Sequence, residues 1–111
     1  SQKQLSEYGN RLANKLNLTP DSIVGLDLPM VLTQGESSVV EPLSLISALA
    51  CLQTNAMFFV PQSIPTLNST KEMIVKENVS HLITEKTHAE QLQQNPPETL
   101  KMALYPVSCE R

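Results

Sequence analysis

Four short apolar runs, residues 23–28, 56–60, 79–84 and 100–107, alternate with four segments of helical periodicity. That alternation leaves few folds open. Each run is a near-continuous stretch of apolar residues with few polar interruptions, the pattern of strands covered on both faces. Strand, helix and next strand are joined by right-handed crossovers, so the series predicts an α/β fold, a mostly parallel sheet with helices on both faces. With 111 residues the chain accommodates one core, so it reads as a single α/β segment over 1–111. Nothing before Leu5 supplies a first strand, and the expectation is an incomplete layer of a larger domain.

The periodic segments have their own punctuation. Leu5, Tyr8, Leu12 and Leu16 fall at steps of three, four and four with Ala13 beside them, an amphipathic helix stopped before Pro20. Residues 30–36 show no clear pattern, and Gly35 suggests a loop. Ser38 and Glu41 have capping-box spacing, but Pro42 suits a first turn, which moves the helix start toward Glu41. From Leu43 to Leu52 only Ser44 and Ser47 interrupt the apolar residues, predicting the most buried helix, closed by a left-handed Asn55. Ser69 or Thr70 caps a short helix ending near Asn78. A polar helix follows over 85–94, with Ala89 and Leu92 as its anchors, ended by Pro96 and Pro97.

Composition narrows the function classes. The net charge is -3 with 17% charged residues, so no basic footprint marks a nucleic-acid partner or an anionic membrane surface. Aromatic content of 4% leaves no stacking platform for single strands. No stretch reaches the roughly 20 apolar residues that span a bilayer. Cys51 lies inside an apolar run and Cys109 near the end, too few thiols for a disulfide framework. The expected setting is soluble, reducing and cytoplasmic. Asn17, Asn68 and Asn78 begin glycosylation triplets that matter only in a secreted chain.

Motifs for chemistry are sparse. His81 and His88 have no Cys or His three or four residues away, so neither has metal-ligand spacing. His81 in an apolar strand reads as a satisfied core or edge residue. Cys51, mid-helix, reads as an inert thiol, and Cys109 as an exposed one. Asp27 is the most suggestive residue, because groups at the carboxyl ends of parallel strands line ligand crevices; in the sequence it has no acidic partner. The glycines at 9, 25 and 35 form neither a dinucleotide fingerprint nor a phosphate-binding loop, and no nucleophile elbow is present. No catalytic, cofactor-binding or metal-binding residue is assigned.

The order of segments resembles a known family. Leu5-Ser-Glu-Tyr-Gly-Asn-Arg-Leu-Ala-Asn-Lys-Leu16 is similar to the L-x-x-x-A-N-R-L-A-x-x-L helix near the start of adenylate-forming (AMP-binding) enzymes: acyl-CoA synthetases, fatty-acyl-AMP ligases, luciferases and nonribosomal-peptide adenylation domains. Thr19-Pro-Asp-Ser-Ile-Val-Gly-Leu26 resembles their G-D-x-V-A-L strand, and residues 41–61 resemble the helix and strand written A-x-L-K-A-G-A-x-x-V-P. Val79-Ser-His-Leu-Ile-Thr84 is similar to A-x-x-L-I-T. The resemblance spans about residues 2 to 107 and implies the first α/β layer of the large N-terminal part of such an enzyme, its opening strand pair lost.

By that resemblance the parent uses ATP and magnesium to make an acyl-adenylate and passes the acyl group to the thiol of coenzyme A or of an acyl-carrier protein. The family's phosphate loop, its Tyr-Gly-x-Thr-Glu segment, its hinge and its catalytic lysine lie downstream of the matched region, so none is carried onto this chain. The segment's expected role is scaffold, and its partner the remainder of the parent enzyme. Leu12, Leu16, Leu26, Leu43, Ile46, Leu49, Leu52, Phe58, Val60 and Leu82 are then expected core, each worth about 2–5 kcal/mol against Ala. The alternative is a noncatalytic α/β protein-interaction module or a degenerate relative of the family.

Overall fold

The computed structural model describes residues 2–28, 31–34, 37–40, 42–60 and 66–105. In chain order the elements are α1 (Gln2–Leu16), β1 (Ile23–Leu26), β2 (Val31–Gln34), β3 (Ser37–Val40), α2 (Pro42–Thr54), β4 (Met57–Phe59), α3 (Leu67–Glu77), β5 (His81–Ile83), α4 (Lys86–Gln94) and β6 (Met102–Leu104). The expected α/β architecture is present. β4, β1, β5 and β6 lie side by side in that order, every pairing parallel.

Asparagine ends the first three helices. Asn17, Asn55 and Asn78 have φ of 55°, 59° and 54°, the left-handed conformation that Asn tolerates better than most residues. The next amide then reaches back five residues, from Leu18 to Ala13, Ala56 to Cys51 and Val79 to Ile74, at 3.0 Å in each case. This turn satisfies end carbonyls and places an apolar residue beside the helix it has just left, sending the chain back toward the sheet.

Alternation along the strands sorts the core into two halves. Val24, Leu26 and Ile83 pack with Leu12, Ala13 and Leu16 of α1 and Ala50 and Cys51 of α2. Ile23 and Leu82 belong to the other half with Ile74 of α3 and Leu92 of α4. Side chains two residues apart share a face, so α1 and α2 cover one face and α3 and α4 the other. Approaches are close on both. A Cβ on Gly9 would stand 3.2 Å from Leu49 Cβ, and one on Gly25 would stand 2.7 Å from Met73 Cε.

Several expectations need correction. Residues 31–34 and 37–40 form an antiparallel pair, β2 with β3, in the register Val31↔Val40 to Gln34↔Ser37. The short Val- and Thr-containing segments are too brief for a pattern search to separate from loop. Ser38 pairs with Thr33 in β3 and so does not cap a helix; α2 starts at Pro42, where the missing N–H is harmless. The cap of α3 is Thr66, in a reciprocal box with Ser69, and Thr70 lies inside the helix. The fully buried residues of α2 are Ser44, Ser47, Ala50 and Cys51, because small side chains allow the helix to sit close; Leu52 is 75% exposed. Val60 is 43% exposed because it follows β4, an edge strand in this sheet. Expectations for Pro106, Val107 and Cys109 fall outside the described residues.

Leu16 and Leu52 were both expected core, and exposure separates them. Leu16→Ala should destabilise by about 2–5 kcal/mol and Leu52→Ala by less than about 0.5 kcal/mol. Urea unfolding of the two variants measures the difference.

Candidate functional site at the sheet's switch point

β1 lies centrally, with the next strand in the parallel sheet, β4, on one side and β5 on the other. The chain therefore reverses its direction of advance between β1 and β5, the point at which open α/β sheets present a crevice at their carboxyl ends. Asp27 follows β1 there and Thr84 follows β5. Both continue the face of Gly25 and Leu82 by the two-residue period, and so point toward α3 and α4.

The Asp27 side chain is inaccessible to solvent. Its Oδ1 accepts from Thr70 Oγ1 at 2.6 Å, and its Oδ2 accepts from Thr84 Oγ1 at 2.5 Å. His88 Nδ1 lies 2.6 Å from the same Oδ2. A carboxylate offers only lone pairs, so that ring nitrogen carries the hydrogen and donates. The Asp27 amide donates to the Ile83 carbonyl at 2.7 Å. One residue thus binds the end of β1 to α3, the end of β5 and α4, through short charge-assisted bonds.

His88 is 15% exposed at its side chain, and its Nε2 stands 3.3 Å from Oε1 of Glu85, three residues earlier. Among the described residues Nε2 faces the Glu85 carboxylate, and no hydroxyl or thiol is placed there for the Asp–His pair to act on. No group of three or more His, Cys, Asp or Glu suited to a metal ion occurs among the described residues. Burial pushes the Cys51 thiol up to about 12, which leaves it a poor nucleophile at neutral pH.

His81 occupies the opposite end of β5. Its Nδ1 is 2.8 Å from Ser80 Oγ. Burial holds its pKa below the usual 6.5, against a hydrogen bond with the Leu16 backbone that raises it and with nearby Lys101 lowering it further. The reading of His81 as a satisfied core residue describes it well. Asp27 stands out in the sequence without a visible partner; the structure gives it Thr70, Thr84 and His88. The available signal was helical spacing, since Thr70 lies three and four residues before Met73 and Ile74, and His88 four before Leu92. No family model matches the chain, and no curated protein matches it.

Replacing the carboxylate by an amide puts an NH2 donor where an oxygen had accepted from existing donors. Asp27→Asn should lower stability by about 3 kcal/mol and Thr84→Val by about 1–2 kcal/mol. The double variant should lose less than the sum, because both changes break one bond; urea midpoints give all three values.

A lowered His81 pKa also has a sign. Below about 6.5 the unfolded chain takes up a proton that native His81 refuses, so this contribution is intact above 6.5 and is lost as pH falls toward the native value. Unfolding midpoints measured between about pH 7.5 and 5 should fall, and His81→Gln should make the fall shallower.

Proposed function

We propose that this chain is a scaffold portion of an ATP-dependent adenylate-forming ligase, an enzyme that activates a carboxylate as acyl-AMP and transfers it to a coenzyme A or carrier-protein thiol. The observation that carries the scaffold part is the Asp27 carboxylate. It stands at the one place where a doubly wound sheet offers a ligand crevice, and both its oxygens are occupied by Thr70, Thr84 and His88. Such a group holds elements together; it has no open face for magnesium or nucleotide, so those of the parent would rest on residues beyond this chain.

Two features support the ligase part. The segments that resemble the family coincide one by one with α1, β1, the α2–β4 pair and β5. Met57 at one sheet edge and Met102 at the other are 56% and 37% exposed, apolar surface that the remainder of a parent enzyme would cover. The second reading, a noncatalytic interaction module, is favoured by Leu52 and Val75, exposed by 75% and 68%.

In this reading the isolated chain catalyses no ATP–pyrophosphate exchange, whereas the longer polypeptide containing it does so with a carboxylate substrate. Exchange by the chain alone would refute the scaffold role. A gene with no glycine-rich phosphate loop within about a hundred residues after this segment would refute the ligase role and leave the interaction module.

A further inference from the structure

We infer that α4 is a hinged strap, pinned to the sheet at its first turn by His88, and that release of the imidazole from Asp27 lifts the helix and opens the space between it and β6. The inference does not rest on the ligase reading. Four observations carry it.

α4 has nine residues, well below the length at which a helix persists unaided in water. Its buried residues are Ala89 and Leu92 alone, a small apolar anchor beside the close contact of α1 with α2. Neither end is locked. Glu85, the N-cap, makes no side-chain bond to the helix backbone and turns its carboxylate to His88 Nε2 instead. Asn95 at the other end has φ -152°, in contrast to the left-handed asparagines that close α1, α2 and α3. Finally, a cleft of about 330 Å³ lies between α4 and the edge strand, lined by Ala89, Leu92, Gln93, Leu100, Met102 and Tyr105 among others.

The polar pin at His88 therefore adjoins a cleft that runs along α4 from Ala89 past Gln93. At the first turn His88 meets a buried carboxylate at 2.6 Å and an exposed one at 3.3 Å. Past Leu92, Gln93 and Pro96 line the cleft. Breaking the Asp27–His88 bond removes the hydrogen bond of α4 to the buried carboxylate while Thr70 and Thr84 still satisfy Asp27, so β1, β5 and α3 remain joined.

Hydrogen exchange on the full chain tests this. In the unaltered protein, amides of residues 89–93 should exchange at least about ten-fold faster than those of Leu82 and Ile83, by an opening that depends little on urea. His88→Ala should speed the α4 amides by about a further ten-fold and leave Leu82 and Ile83 unchanged. His88→Asn, which retains a side-chain donor, should restore most of the protection. Equal exchange of α4 and β5 in the unaltered protein would overturn the proposal, and so would equal acceleration of both by His88→Ala. The first comparison needs no variant and decides the matter even if the alanine protein fails to fold.

Discussion

A carboxylate sealed from water at the switch point of the sheet is the constraint around which the rest of the structure is arranged. Asp27 has to find hydrogen-bond donors, because a buried charge without them is costlier than the chain's whole margin of stability. It finds them on three separate elements, Thr70 in α3, Thr84 after β5 and His88 in α4. No shift of register by one residue preserves those bonds, since a slip reverses the face on which Asp27 and Thr84 project. An apolar residue of similar volume would pack there without that demand. The polar cluster therefore contributes uniqueness of arrangement more than net stability.

A second polar tie acts at the other end of the same strand pair. Ser80 Oγ accepts from the Ile23 amide at 2.9 Å, and the Ser80 amide donates to the Ile23 carbonyl at 2.8 Å. His81, beside it, bonds Ser80 through Nδ1 and contacts the end of α1 at Leu16. β1 and β5 are three or four residues long, so a tie at each end governs nearly all of their pairing. Between the ties the strands need only shape, and Val24, Leu26, Leu82 and Ile83 provide it with at most 1% exposure.

Legibility in the sequence followed the length and strength of each local signal. The four helices and the parallel strands were readable because apolar runs and three-to-four spacing extend over enough residues to exclude other patterns. The β2–β3 pair was not, since four-residue strands with mixed Ser, Thr and Gln have no period long enough to register. α2 was legible as a helix but its inward face was misjudged. Its apolar residues encircle it, and only the packed structure shows that Ser44, Ser47, Ala50 and Cys51 face inward while Leu52 turns to solvent. In the candidate site Asp27 was legible as an anomaly inside an apolar run, and its partners were not, because they lie 43 to 61 positions away.

The sequence by itself determined the element types, the alternation that makes a parallel sheet, and the helix ends at Asn55 and Asn78. These follow from local sterics and from burial, which act over a few neighbouring residues. Tertiary structure alone decided the strand order β4-β1-β5-β6, the identity of the edge strands, and the gathering of Thr70, Thr84 and His88 on one carboxylate. Hydrogen bonds between distant residues leave no periodicity in a chain. They come into existence only when packing has brought the strand ends together and excluded the water that would otherwise satisfy them.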